Sequence, residues 1–245
     1  MISKIEEQYP TWKMHQPVTK QSLDQLRLIN GTILAQIVDD AELEHQYSRY
    51  ICMQGIANEI IENNYSGDIV EFGTFKGLGL LMLAQCFERS RQNRCFIGID
   101  SFQGLPESSG EWVQGMFNNT SYDECCKNMQ NFMPVNTALS WKIISGWFND
   151  ASVSENLNNS TNSISLVHFD ADLGSSTTQA LNLVKPHLQN RSDPVYFLFD
   201  DWGIDEKEIP LAWQSWVSEN SQTLNFKFEE ISHGLLSKNF KLTFN

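Results

Sequence analysis

Apolar residues along this chain fall into short runs, and an acid closes each of four of them. Ile164, Leu166, Val167 and Phe169 fill four of the six positions from 164 to 169, and Asp170 and Asp172 follow at once. So apolar a run reads as a strand buried on both faces. The pattern returns as Pro194-Val195-Tyr196-Phe197-Leu198-Phe199 followed by Asp200-Asp201. Between the two, Ala180, Leu181, Leu183, Val184 and Leu188 predict a helix over 175–188. Strand, helix and strand in this rhythm make a parallel crossover unit, and such sheets bind ligands beyond the carboxyl ends of their strands. Ile69-Val70 is closed by Glu71, and Phe96-Ile97-Gly98-Ile99 by Asp100. A single acid after a strand is an ordinary turn or cap residue. Four of them predict carboxylates gathered along one sheet edge, and a site there.

The remaining pattern completes an α/β chain. Residues 1–20 are polar and interrupted by Pro10 and Pro17, an irregular arm. Ser22 caps a helix running towards Asp39, with Leu26, Ile29, Ile33 and Ile37 on one face. A second helix spans about 42–63, with Tyr47, Ile51, Ile56 and Ile60 inward. These helices cover one end of the sheet, or form a lid or a dimer surface; the chain divides accordingly into 1–64 and an α/β domain over 65–245. Strand 69–71 runs through Gly73, Gly77 and Gly79 into a helix over 80–87. The glycines allow close backbone approach to a ligand, and the helix start offers free N–H donors. Their spacing, G-x-x-x-G-x-G, is not the dinucleotide fingerprint. Asp100, 23 residues after Gly77 at the end of the next strand, is placed to accept hydrogen bonds from both hydroxyls of a ribose. Glu71 is either part of that site or a turn acid. Residues 107–120 form a long surface loop, 121–133 a helix, and 141–144 a third strand. Trp147 and Phe148, just past that strand, stack on a flat heterocycle or belong to the core. The Asn/Ser-rich stretch 151–163 is expected to be a flexible connection. A helix over 209–220 and two alternating strands, 226–231 and 239–244, close the sheet as an antiparallel hairpin.

Charge narrows the partners. Lys+Arg number 17 against 30 Asp+Glu, a net charge of -13 over 245 residues. That field disfavours nucleic acid and suits a cation. No Lys or Arg neighbours the paired acids in sequence, so their mutual repulsion should favour a bound divalent ion. The five cysteines (Cys52, Cys86, Cys95, Cys125, Cys126) lack C-x-x-C spacing and read as reduced thiols. Met1 to Tyr9 is polar and charged, unlike a signal peptide, and no apolar run reaches the roughly 20 residues of a membrane span. The expectation is a cytoplasmic protein without a membrane partner.

Five motifs, in order and at similar spacing from about residue 65 onwards, resemble the S-adenosylmethionine- and metal-dependent O-methyltransferases typified by the macrocin and mycinamicin sugar enzymes. They are Val70-Glu71-Phe72-Gly73-Thr74-Phe75-Lys76-Gly77, Asp100-Ser101-Phe102-Gln103-Gly104-Leu105-Pro106, Gly146-Trp147-Phe148-Asn149-Asp150, Asp170-Ala171-Asp172 and Asp200-Asp201. The resemblance implies a Rossmann-like, mostly parallel seven-stranded sheet with its last strand antiparallel, helices on both faces and an N-terminal helical extension. It implies that Glu71 and Gly73 line the methionine end of S-adenosylmethionine, that Asp100 holds the ribose, that Trp147, Phe148 and Asn149 lie near the adenine, and that Gly77 and Ser101 also belong to the cofactor site. Asp170, also at the cofactor, would bind a divalent metal, Mg²⁺, with Asp200 and Asp201. Asp172 would be the general base; His168, inside the apolar strand, is the other candidate and reads as structural.

Such an enzyme would methylate a hydroxyl of a small natural product, a sugar or glycosylated metabolite. A catechol-like acceptor, a catalytically silent cofactor-binding partner protein and a nicotinamide dehydrogenase are the rival readings. The chain departs from the family at Gly174, where Tyr is usual; at Arg191-Ser192-Asp193-Pro194, where Pro-x-Gly-Gly is usual; and at Trp202, commonly Tyr. The first and third bear on the acceptor pocket.

Overall fold

The structure, a computed structural model, describes residues 40–245 apart from 206 and 235; the helix expected over 22–39 lies outside them. Seven strands form one sheet in the order β3-β2-β1-β4-β5-β7-β6. They are β1 (Asp68–Phe72), β2 (Arg94–Asp100), β3 (Leu139–Ser145), β4 (Ile164–Phe169), β5 (Val195–Phe199), β6 (Phe226–His233) and β7 (Lys238–Phe244). β1 to β5 pair in parallel, and β7 runs antiparallel between β5 and β6. This is the predicted mixed sheet.

Side chains alternate between two apolar layers, as the two-residue period of a strand requires. Ile69, Phe96 and Leu166 face α1 (Asp40–Glu62), α2 (Leu78–Cys86) and α3 (Tyr122–Phe132). Val70, Phe72, Val167 and Phe169 face α4 (Ala151–Ser160), α5 (Gly174–Val184) and α6 (Ile209–Asn220). All six residues of β4 are buried, which is why that run carries so little polarity. On α1, Tyr47, Ile51, Ile56 and Ile60 are buried, the inward set expected of that helix. Ser121 caps α3 by accepting from the Glu124 N–H at 3.1 Å. The helix over 175–188 ends early: α5 stops at Val184, and Lys185–Leu188 tighten into a 3₁₀ turn containing Pro186, which cannot supply the next helical N–H.

Residues 151–160 are not a flexible connection but helix α4. Its composition is poor for a helix, yet Val153 and Leu157, four apart, are both fully buried against the sheet. Tertiary burial of one stripe outweighs weak propensity here. The stretch 107–120 is a loop, as expected, but one tied to itself. Leu105 N–H donates to the Met116 carbonyl at 2.9 Å and Gly115 N–H to the Leu105 carbonyl at 3.0 Å.

Candidate active site

Strand pairing continues one residue past each strand and levels the carboxyl ends. Asp170 N–H donates to the Phe72 carbonyl, Asp200 N–H to the Phe169 carbonyl and Gly146 N–H to the Asp100 carbonyl, each at 2.9 Å. Gly73 permits the closest approach. A Cβ there would stand 1.7 Å from the Asp170 carbonyl oxygen, and its φ of +85° is already left-handed. Only glycine fits both conditions. The edge so formed is the floor of a cavity of about 1030 Å³.

Most of the predicted residues meet in that cavity. Gly73, Asp100, Ser101, Trp147, Phe148 and Asn149 line one part of it, and Asp170, Asp172, Asp200 and Asp201 another. Phe148 also packs edge-on against Phe72 at 5.3 Å between ring centroids, so it is both core and wall. Gly77 is not in the wall: with φ +90° it caps α2, facing Met129 and Cys125. Glu71 is not in the wall either. It pairs in register with His168, and its Oε1 lies 2.9 Å from His168 Nδ1, with both side chains 1% exposed. Glu71 Oε2 is buried without a partner. Burial raises the pKa of this carboxyl, against the lowering effect of His168.

Asp100 accepts the Phe102 N–H on Oδ1 and the Phe75 N–H on Oδ2, both at 2.7 Å. Phe75 reaches it from a left-handed backbone, φ 50°, a conformation costly for a bulky residue. Burial still raises the Asp100 pKa, with the two N–H bonds opposing.

The acid cluster contains a cation that neighbouring sequence did not disclose. Arg49 Nη1, from α1, donates to Asp170 Oδ2 at 2.8 Å and also to Asp200 Oδ2. Its Nη2 donates to Gln46 Oε1 at 2.7 Å. His45 Nε2, one helical turn back, stands 3.4 Å from Asp200 Oδ2. No Lys or Arg stands beside these acids in sequence; the compensating cation comes from 121 residues away. Burial would raise the Asp200 pKa, but Arg49, His45 and His168 together outweigh it and hold this carboxyl well below the usual range. Asp201 and Asp172 lack such a partner. Burial first, then Asp200, push Asp201 up to about 10; burial first, then Asp170, raise Asp172 well above its ordinary value. Both stand in left-handed turns, at φ 53° and 59°. Among the described residues, the side chains whose ligand atoms all lie within 4.8 Å of one another are Glu71, His168 and Asp170. Asp170, Asp200 and Asp201 do not form such a group; the first two share the Arg49 Nη1 as donor.

The departures at Gly174 and Trp202 lie outside the wall. Gly174 N–H donates to Glu208 Oε2 at 2.6 Å, and a Cβ at Gly174 would stand 2.9 Å from the Glu208 carbonyl oxygen. Glu208 also accepts from the Ser109 hydroxyl, and Ser175 donates to Glu107 at 2.5 Å. These bonds clasp the roof loop to the starts of α5 and α6. Trp202 turns into the core against Phe199 and Phe240. Asp193 accepts the Ser66 N–H and hydroxyl, both at 3.1 Å, at the opposite edge of the sheet.

The model of the macrocin-O-methyltransferase (TylF) family matches residues 47–231. No curated protein matches significantly. Among solved structures, the O-methyltransferase NovP superposes with a TM-score of 0.65 at 18% identity, over 91% of this chain and 98% of that one. The calicheamicin methyltransferase CalS11 gives 0.58 at 16% identity, over 94% and 96%. An O-methyltransferase from Bacillus cereus, in complex with SAH, gives 0.52 at 11%, over 98% and 99%. The fold is Rossmann-like, and the family match makes the class that of the methyltransferases. The chain belongs to the macrocin-O-methyltransferase family, and is thus an S-adenosylmethionine-dependent O-methyltransferase. No helix among the described residues is long and apolar enough to cross a membrane.

Proposed function

We propose that this enzyme methylates a hydroxyl of a small natural product, a sugar or glycosylated metabolite, with a divalent cation, Mg²⁺, at its acid cluster. The observation that carries this reading is the meeting of Asp100, Asp170, Asp172, Asp200 and Asp201 in one cavity at the carboxyl ends of the strands. Asp100 lies where a ribose can be held, each of its oxygens keeping an acceptor site beside the N–H it receives. Trp147 and Phe148 offer flat faces to an adenine. That NovP and CalS11 are O-methyltransferases of similar fold accords with the reading.

The donor set fits a hard cation. Asp170, Asp200 and Asp201 present carboxylate oxygens, and Asp200 Oδ1 is buried without a partner. These three residues would hold the ion, which when bound lowers the pKa of a hydroxyl it touches. Asp172 lines the same cavity, where its carboxylate can accept the hydroxyl proton. The deprotonated oxygen then forms a bond to the methyl carbon as the carbon–sulfur bond breaks, leaving S-adenosylhomocysteine. His168 is outside the cavity wall and engaged with Glu71, which favours Asp172 over it as the base.

The test is a mass-spectrometric screen of hydroxylated acceptors, chiefly sugars and glycosides, for a gain of one CH₂. EDTA should abolish turnover and Mg²⁺ restore it, with S-adenosylhomocysteine binding little changed. Full turnover in excess chelator would remove the metal from this reading.

A further inference from the structure

Arg49 and a divalent ion would need the same atoms. The guanidinium spends a single nitrogen, Nη1, on both Asp170 Oδ2 and Asp200 Oδ2. The strongest Arg–carboxylate pairs are frequently two-nitrogen forks on one carboxylate, and this one is not. Here the pairing is incomplete on both sides: Arg49 Nε and Asp200 Oδ1 are each buried without a partner. Arg49 is 7% exposed and Asp200 2%, so neither open atom is compensated by water at the surface. Nor is the pair the main fastening of α1, which Tyr47, Ile51, Ile56 and Ile60 anchor in the core; it adds to the hold on the first turns, next to the strand ends. Burying two such charges is a costly way to fasten a helix. A guanidinium and a divalent cation cannot share these oxygens at full strength, since like charges a few ångströms apart inside a protein repel strongly.

We infer that Arg49 is a tethered counter-ion that occupies the acid cluster in the metal-free protein and competes with the divalent cation for Asp170 and Asp200. Metal loading then withdraws Arg49 and loosens the turn of α1 that carries His45, Gln46 and Arg49 from the strand ends. Cation binding is thereby coupled to the helix that borders the cavity. This inference rests on the metal reading above and adds the residue that opposes the metal.

The experiment measures Mn²⁺ binding, by electron paramagnetic resonance and by calorimetry, to the wild-type chain, Arg49→Gln and Arg49→Lys, without cofactor or acceptor. Arg49→Gln should bind Mn²⁺ about tenfold more tightly or better, whereas Arg49→Lys, which keeps the charge, should stay close to wild type. In thermal melts, Arg49→Gln should start lower than wild type and gain more from Mn²⁺. A variant that folds only with Mn²⁺ present supports the inference, because the ion then replaces the missing charge. Wild-type binding with no gain in Arg49→Gln overturns it and leaves Arg49 a positioning residue for the carboxylates. Absence of binding to every form overturns the metal reading, and the competition with it. Should Arg49→Gln fail to fold with and without Mn²⁺, hydrogen exchange on the wild type decides. Saturating Mn²⁺ must speed exchange over residues 45–52, and unchanged exchange there overturns the inference.

Discussion

Asp172 and His168 are four residues apart and differ in every respect that matters to a base. Asp172 lines the cavity from a left-handed turn; His168 is 1% exposed and bonded to Glu71. Asp172→Asn keeps the shape but removes the basicity, so the rate should fall roughly 10²–10⁴-fold with cofactor binding intact. His168→Gln should lower the melting temperature, because Glu71 loses a buried partner, while the turnover of the folded fraction stays near wild type. Rates of both at saturating Mg²⁺ check this, and the reverse pattern would make His168 the base. Asp100→Ala should shrink the stabilisation that S-adenosylhomocysteine gives in a thermal melt, and an unchanged shift would remove Asp100 from the ribose role. The acids were legible because each ends an apolar run, a local signal. Arg49 was not, since it sits between Ser48 and Tyr50 on a helix and meets Asp170 only through the fold.

At the scale of elements, the clearest test is where β1 crosses the start of the β4 turn. Gly73→Ala forces a Cβ to 1.7 Å from the Asp170 carbonyl oxygen at a φ of +85°. The strands must part there, and we expect a loss of about 3 kcal/mol or more in denaturant unfolding. A variant as stable as wild type would mean that this contact is not tight. Helix α4 is held by Val153 and Leu157, and Leu157→Ala should cost about 2–4 kcal/mol despite the Asn/Ser-rich sequence around it. A change below about 0.5 kcal/mol, the size of an ordinary surface substitution, would mean that α4 does not depend on this burial. Propensity pointed to a connection at 151–163 because Asn and Ser favour turns. Two side chains four apart are too short a pattern to read as a helix until a sheet stands beside them.

Across the whole molecule, the charge of -13 is offset only locally, and pH acts through particular buried groups. His187, in the 3₁₀ turn after α5, has its pKa lowered, by burial first and then by Arg191. The unfolded chain takes up a proton near pH 6.5 that the folded His187 resists. The stability it contributes is whole above that pH and is lost as pH falls towards the depressed folded value. His187 therefore contributes a fall in melting temperature between about pH 7 and pH 5, set against the raised carboxyls, which act the other way; the wild type should lose more on that descent than His187→Gln, and identical pH profiles would remove His187 from this role. The order of the strands, every described helix but α4, the parallel sheet with its antiparallel close and the row of carboxylates were determined by the chain itself, because they rest on period and on residues adjacent in sequence. The tertiary structure alone decided which acids face the cavity, that Glu71 turns to His168, that Glu208 clasps the roof loop and that a helical arginine sits among the aspartates. Those depend on charges and shapes brought together from 34 to 151 residues apart, and no local pattern encodes them.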